Sequence, residues 1–145
     1  MKLPEIQIKV TLSEGEKIKI GNSQDAYNVF KDLFDPNTLV WSEEMILLAV
    51  NRNNEIYAWR RISSGGTTGT VCDPKIIFSI LLNCGASAFL LAHNHPSGAL
   101  VPSTQDINIT KKLIDGGRIL DIELLDHLII GHDNYHSMAD NGQIF

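Results

Sequence analysis

Apolar residues alternate with polar ones at Ile6, Ile8 and Val10, and again at Ile18 and Ile20. A period of two marks strands, and Gly15 between the runs suits a hairpin or a bend. Ser23 then stands as an N-cap, Ala26, Val29, Phe30 and Leu33 follow helical spacing, and Asp35-Pro36 stops the helix. Met45 to Val50 is an unbroken apolar run, the mark of a strand covered on both faces. Asn51 to Asn54 is turn chemistry, and Glu55 to Trp59 reads as the hairpin partner.

The second half repeats this grammar. Asp73-Pro74 starts a helix, with Asp as N-cap and Pro at the first helical position. That helix runs from Lys75 to about residue 83 and is apolar nearly all round, so it is largely buried; Gly85 ends it. Ala88 to Ala92 is a strand that leads into His93. Helical signals return from Thr104 to Ile114, with Gly116-Gly117 expected as the stop, and Ile119 to Gly131 holds one or two strands. The order β, α, β, β, α, β, α, β predicts a mixed α/β domain. Residues 1–22 would add N-terminal strands packed on a domain over 23–145, with no internal repeat or linker.

Composition narrows the function little. The chain has 145 residues, 43% hydrophobic and 20% charged, enough for one core. A net charge of −5 disfavours general nucleic-acid binding, which needs clustered Lys and Arg; Arg60-Arg61 and Lys111-Lys112 read as solvated surface. The glycine-rich stretch 63–70 lacks the lysine and the strand-to-helix setting of a phosphate loop. No apolar run reaches the length of a membrane span, and Cys72 and Cys84 form no C-x-x-C pair. The expectation is a cytoplasmic protein with reduced, buried thiols.

The chemistry concentrates in 89-FLLAHNHPSGALVPSTQD-106. Strand residues two apart face the same way, so His93 and His95 can converge on one metal ion. Zinc takes neutral imidazoles at about 2.0–2.1 Å, and a catalytic site uses three protein ligands and one open position. Asp106, in the first turn of a helix, is the candidate third ligand. A structural reading competes with this one: Ser103-x-x-Asp106 is a capping-box pattern, and the histidines could be hydrogen-bonded core groups.

His93-x-His95, seven residues, Ser103, two residues and Asp106 resemble the full JAMM (JAB/MPN+) metalloprotease pattern. The string HNHPSG with Pro102-Ser103 and Asp106 resembles the RadC branch of that superfamily. Gly65, Asp73-Pro74 and 125-LDHLIIG-131 match it further, although RadC chains usually carry Pro-Arg where Asp73-Pro74 stands. The resemblance covers roughly residues 23–140. It implies a curved mixed sheet of JAB/MPN (cytidine-deaminase-like) type with flanking helices and a zinc site at strand ends. It also implies a zinc hydrolase of amide bonds, in which His93, His95 and Asp106 bind Zn2+, an upstream glutamate is the general base, and Ser103 stabilises the tetrahedral intermediate. Capping and oxyanion stabilisation compete for that one hydroxyl.

RadC-like chains place the glutamate just before an apolar strand, and 43-EEMILLAVN-51 fits with Glu43 first. Glu44 is its rival, since alternation lets only one of the two face the metal. Many RadC chains have acids where Arg60-Arg61 stand; were one of those the base, this chain would lack it. His127 reads as a structural histidine that could line the cleft, with Asp126 a candidate to orient its ring. His132 and His136 read as surface groups. The expected partner is a polypeptide or isopeptide substrate, and a homodimer stays open. Two rivals stand beside the hydrolase. One is a DNA-repair-associated role; full RadC proteins carry an N-terminal helix-hairpin-helix region, whereas residues 1–22 here read as strands, so the expectation is a single-domain form lacking it. The other is a metal-binding, non-catalytic scaffold. An amidohydrolase barrel would need roughly 250 residues and is excluded.

Overall fold

A computed structural model describes residues 1–64 and 72–144. Gly65 and nearly all of the glycine-rich stretch 63–70 fall outside the described residues. Among the described residues, six strands and three helices follow in the order β1 (Ile18–Lys19), α1 (Ser23–Leu33), β2 (Glu44–Val50), β3 (Glu55–Ser64), α2 (Pro74–Cys84), β4 (Ala88–Asn94), α3 (Thr104–Leu120), β5 (Glu123–Ile130) and β6 (Tyr135–Ser137). The strands form one mixed sheet in the order β1-β3-β2-β4-β5-β6. Among these strands β4 and β5 are parallel, joined by the α3 crossover, and the other neighbouring pairs are antiparallel.

The sheet is covered on both faces, which explains the unbroken apolar runs of β2 and β4. Ile46, Leu48 and Val50 of β2, with Leu90 and Ala92 of β4, pack beneath Ala26, Tyr27 and Phe30 of α1. Met45, Leu47 and Ala49, with Phe89 and Leu91, pack against Ile77, Phe78 and Leu81 of α2 and Leu113 of α3. Alternation along β4 therefore sends His93 to the α2/α3 face and Asn94 to the α1 face. A register shift between Phe89 and Leu90 leaves Leu125 as an extra residue on β5. That bulge resets the alternation: Leu124 faces α2 and α3, Leu128 and Ile130 face α1, and His127 turns toward α3.

Four expectations need correction. Residues 1–17 form no strand, and Ile6, Ile8 and Val10 are exposed; Ile8 to Leu12 instead border a groove with Ala58 of β3 and Ile80 of α2. The N-terminal pairing is limited to Ile18–Lys19, opposite Ile56 and Glu55. The cap of α1 is Asn22, whose side chain accepts from the Asp25 N–H, one residue earlier than Ser23. Gly116-Gly117 does not end α3, which continues to Leu120 and turns out through Asp121 at φ 55°. Both glycines serve close packing: a Cβ on Gly116 would come within 2.6 Å of the Phe78 ring, and one on Gly117 within 2.2 Å of the Ile122 carbonyl oxygen. Periodicity reads glycine as a breaker and cannot see a neighbour that demands its smallness. The start of α2 is as expected, with Asp73 accepting from the Lys75 N–H and Gly85 left-handed at φ 71°.

Candidate metal centre

The site lies where the end of β4, the start of β2 and the first turn of α3 meet. His93, the penultimate residue of β4, is almost wholly buried, and His95 follows two residues later on the same side. Their Nε2 atoms are 2.9 Å apart. The Asp106 carboxylate reaches both, with one oxygen 3.2 Å from His93 Nε2 and the other 3.1 Å from His95 Nε2. The ligand atoms of Glu43, His93 and His95 all lie within 4.8 Å of one another. Two imidazole nitrogens and two carboxylates thus converge, a donor set that suits a divalent transition metal.

The remaining ring nitrogens are occupied in a way that leaves those lone pairs inward. His95 Nδ1 lies 2.8 Å from the Ala99 carbonyl, which can only accept, so the ring proton belongs there. His93 Nδ1 lies 2.8 Å from Nε2 of His127, whose Nδ1 is 2.7 Å from the Thr110 hydroxyl. That hydroxyl donates to the Asp106 backbone carbonyl at 2.6 Å.

Electrostatics follow this packing. In the metal-free protein burial alone would raise the Asp106 carboxyl, but the His93 and His95 rings, when they carry a proton on Nε2, donate to it and outweigh burial, holding the group well below the usual carboxylate range. The same bond to Asp106 raises His95 above its ordinary value against the opposing effect of burial, and the Ala99 carbonyl and the charge of Glu43 add to the rise. His127 is pushed down to about 3, first by burial and then by the neighbouring His93. It therefore stays neutral and can accept a hydrogen bond.

The two glutamates are separated by their partners. Glu44 pairs with Arg61 at 2.9 Å and accepts from the Thr38 hydroxyl at 3.3 Å. Glu43 sits on the histidine side, and its carboxylate makes none of the hydrogen bonds or ion pairs among the described residues. Arg61 is accordingly more than solvated surface, since it also donates to the Leu33 carbonyl at 3.1 Å. The segment before β2 is pinned by Asn94, the middle residue of His-x-His, which is wholly buried. Its amide donates to the Leu39 and Ser42 carbonyls at 2.8 Å each and accepts from the Glu44 N–H at 2.8 Å.

Ser103 caps α3. Its hydroxyl oxygen accepts from the Asp106 N–H at 3.0 Å, and its own N–H donates to the Asp106 carboxylate at 2.8 Å. The capping box and the carboxylate–imidazole contacts coexist, since the same Asp106 oxygen faces His95. Sequence reasoning missed the partnership of His127 and Thr110 with His93. Asp126 does not orient the His127 ring; it takes the His127 N–H and holds Ser137 and the Ala139 N–H. His132 is exposed, whereas His136 is half-buried and bonded to Gln143 at 2.8 Å.

The architecture and the cluster define a mixed α/β domain of the JAB/MPN class with a candidate metal site at its strand ends. A family model described as a RadC-like JAB domain matches residues 20–143, and the chain belongs to that family. Curated relatives carry the name "UPF0758 protein". One from Flavobacterium johnsoniae is 40% identical over 124 residues, covering 86% of this chain and 53% of the relative. One from Alkaliphilus metalliredigens is 32% identical over 145 residues, covering 95% and 62%. A third, from Methanosarcina mazei, is 33% identical over 132 residues, covering 91% and 56%. The chain thus spans little more than half the length of these relatives. No helix among the described residues is long and apolar enough to cross a membrane.

Proposed function

We propose that this domain is a zinc-dependent hydrolase of amide bonds in polypeptides, in peptide or isopeptide linkage. The observation that carries the reading is the convergence of His93 Nε2, His95 Nε2 and the Asp106 carboxylate on one point, with Glu43 beside them and without another hydrogen-bond or ion-pair partner among the described residues. Zinc held there by His93, His95 and Asp106 would lower the pKa of a water ligand to near ~7 and polarise a scissile carbonyl. In this reading Glu43 would accept one proton and return it to the leaving amine. Ser103 contributes differently: its hydroxyl oxygen accepts in the cap, so its proton remains able to donate to a developing oxyanion.

The outer edge of β3 is our candidate for the seat of an extended substrate. β1 covers only Glu55 and Ile56 of β3, and the far end of β3 lies against the start of β2, with Ser64 opposite Glu44. A peptide added along the outer edge of β3 would run toward Glu43. The DNA-repair-associated reading finds less support: the net charge is −5 and Arg61 is engaged by Glu44. The test is zinc-reconstituted protein assayed on a peptide library and on isopeptide-linked conjugates, beside Glu43→Gln. Cleavage that depends on both zinc and Glu43 is expected. Full cleavage by Glu43→Gln would contradict the assignment of the base.

A further inference from the structure

His127 and Thr110 stand outside the His-x-His…Ser…Asp pattern, yet they join two of its members. The His127 ring is buried to 0% exposure, so whatever its nitrogens touch is fixed by the fold. Nε2 meets His93 Nδ1 at 2.8 Å, Nδ1 meets the Thr110 hydroxyl at 2.7 Å, and that hydroxyl meets the Asp106 carbonyl at 2.6 Å. The direction of donation along this row follows from its last member. A carbonyl oxygen only accepts, so the Thr110 proton points at Asp106. The Thr110 oxygen then receives the Nδ1 proton of His127. His127 Nε2 is left with a lone pair and receives the Nδ1 proton of His93, which frees His93 Nε2 to ligate. Reversing any link would put a proton on His93 Nε2, in the place of a metal.

We propose that His127 and Thr110 are positioning residues of the metal centre: they lock His93 in its ligating tautomer and tie its ring to the helix turn that carries Asp106. The proposal rests on the metal reading above and adds to it. Ligating histidines usually donate their second nitrogen to a carboxylate, a backbone carbonyl or water, and loss of such a partner costs about 10–100-fold in metal affinity. Here the partner is a neutral imidazole. The neighbouring carboxylate, Asp126, is held away by Ser137 and Ala139. His93 is thus oriented without bringing a further negative charge to a site that already holds Glu43 and Asp106.

The test uses the full chain and zinc, with affinity read by chelator competition. His127→Phe fills the space without an acceptor and is expected to weaken zinc binding about 10–100-fold. His127→Gln, whose amide oxygen can stand in for Nε2, is expected to recover most of that loss. A merely structural role would not be rescued in this way. Nitrogen-15 NMR of the zinc-loaded protein should show His127 protonated at Nδ1, with a coupling across the hydrogen bond from His93 Nδ1 to His127 Nε2. Should His127→Phe fail to fold, Thr110→Val, which removes the hydroxyl at nearly constant volume, is expected to lower affinity in the same direction. A folded His127→Phe that binds zinc as tightly as the unsubstituted chain, or a His127 protonated at Nε2, would overturn the proposal. Failure of the unsubstituted chain to bind zinc is a distinct result: it would overturn the metal reading and this inference with it.

Discussion

His93 and Asn94 are neighbours on β4, both buried, and they do opposite things on the two faces of the sheet. On the α1 face, Asn94 closes on itself: one acceptor and two donors meet three backbone groups, and beside it Glu44 is matched by Arg61 and Thr38. On the α3 face, the groups around the centre are bonded outward and left open inward. The outer nitrogens of His93 and His95 are engaged, and their inner nitrogens converge with the carboxylates of Asp106 and Glu43. A buried polar group with all its bonds made is a structural element; a set of lone pairs aimed at one point is a site for a cation. The first arrangement holds the second in place, because Asn94 fixes the segment that presents Glu43.

The comparison breaks most sharply at the ligands. His95→Ala should abolish stoichiometric zinc binding, whereas Ser103→Ala, which removes the cap hydroxyl and leaves the proposed ligands in place, should retain it; metal analysis of the two purified variants decides. Next in size is Glu43→Gln, which should keep fold and zinc but lower hydrolysis by about 10²–10⁴-fold, the usual worth of a positioned general base. Glu44→Gln should leave turnover largely intact, and the reverse result in a side-by-side assay would exchange the roles of the two carboxylates.

On the structural face the effects are on stability. Asn94→Ala leaves three buried backbone groups without partners and should cost on the order of 3 kcal/mol in urea unfolding, each such group being worth about 1–3 kcal/mol less whatever water restores. Zinc should still bind, because its ligands are untouched, while Glu43-dependent cleavage should fall. Unchanged stability would mean that the 38–44 segment is held by other contacts.

For the metal-free protein the faces also differ in acid. The unfolded chain takes up a proton at His127 below about 6.5, whereas the folded protein refuses it until about 3. Stability should therefore fall as pH drops through that window, by at most about 1.4 kcal/mol per pH unit from this one group. Asp106, depressed in the folded state, acts in the same direction lower down, as acid removes its charge. His95, raised, acts oppositely: its stabilisation is complete below about 6.5 and is lost as pH rises through its folded value. Urea midpoints of the apoprotein from pH 7 to pH 4 should decline, and a flat profile would contradict the buried neutral ring. The smallest effect is expected from Arg61→Ala, about 0.5–1 kcal/mol, because the Arg61 side chain is 38% exposed and its ion pair with Glu44 is partly screened.

Much of this was legible in the chain. Unbroken apolar runs announced β2 and β4 as strands covered on both faces, and Asp73-Pro74 and Gly85 marked the ends of α2. The spacing of His93, His95, Ser103 and Asp106 named the cluster before its geometry was seen. What stayed hidden depended on long-range contacts. The bulge at Leu125 turned His127, rather than Asp126, toward α3, and no period-two reading places a bulge. Gly116 and Gly117 looked like a stop because Phe78, which requires the smallness of Gly116, is distant in sequence, and because the chain turns back at Asp121 to bring the Ile122 carbonyl against Gly117. The alternation at Ile6, Ile8 and Val10 promised a strand, but alternation makes a strand only where a partner edge pairs with it.

The most direct test of the metal centre is elemental analysis of the protein purified without added zinc, repeated after reconstitution and dialysis. One zinc ion per chain in the unsubstituted protein, and none in His95→Ala or Asp106→Ala, is the predicted result. Absence of any transition metal from the unsubstituted protein after reconstitution would contradict it.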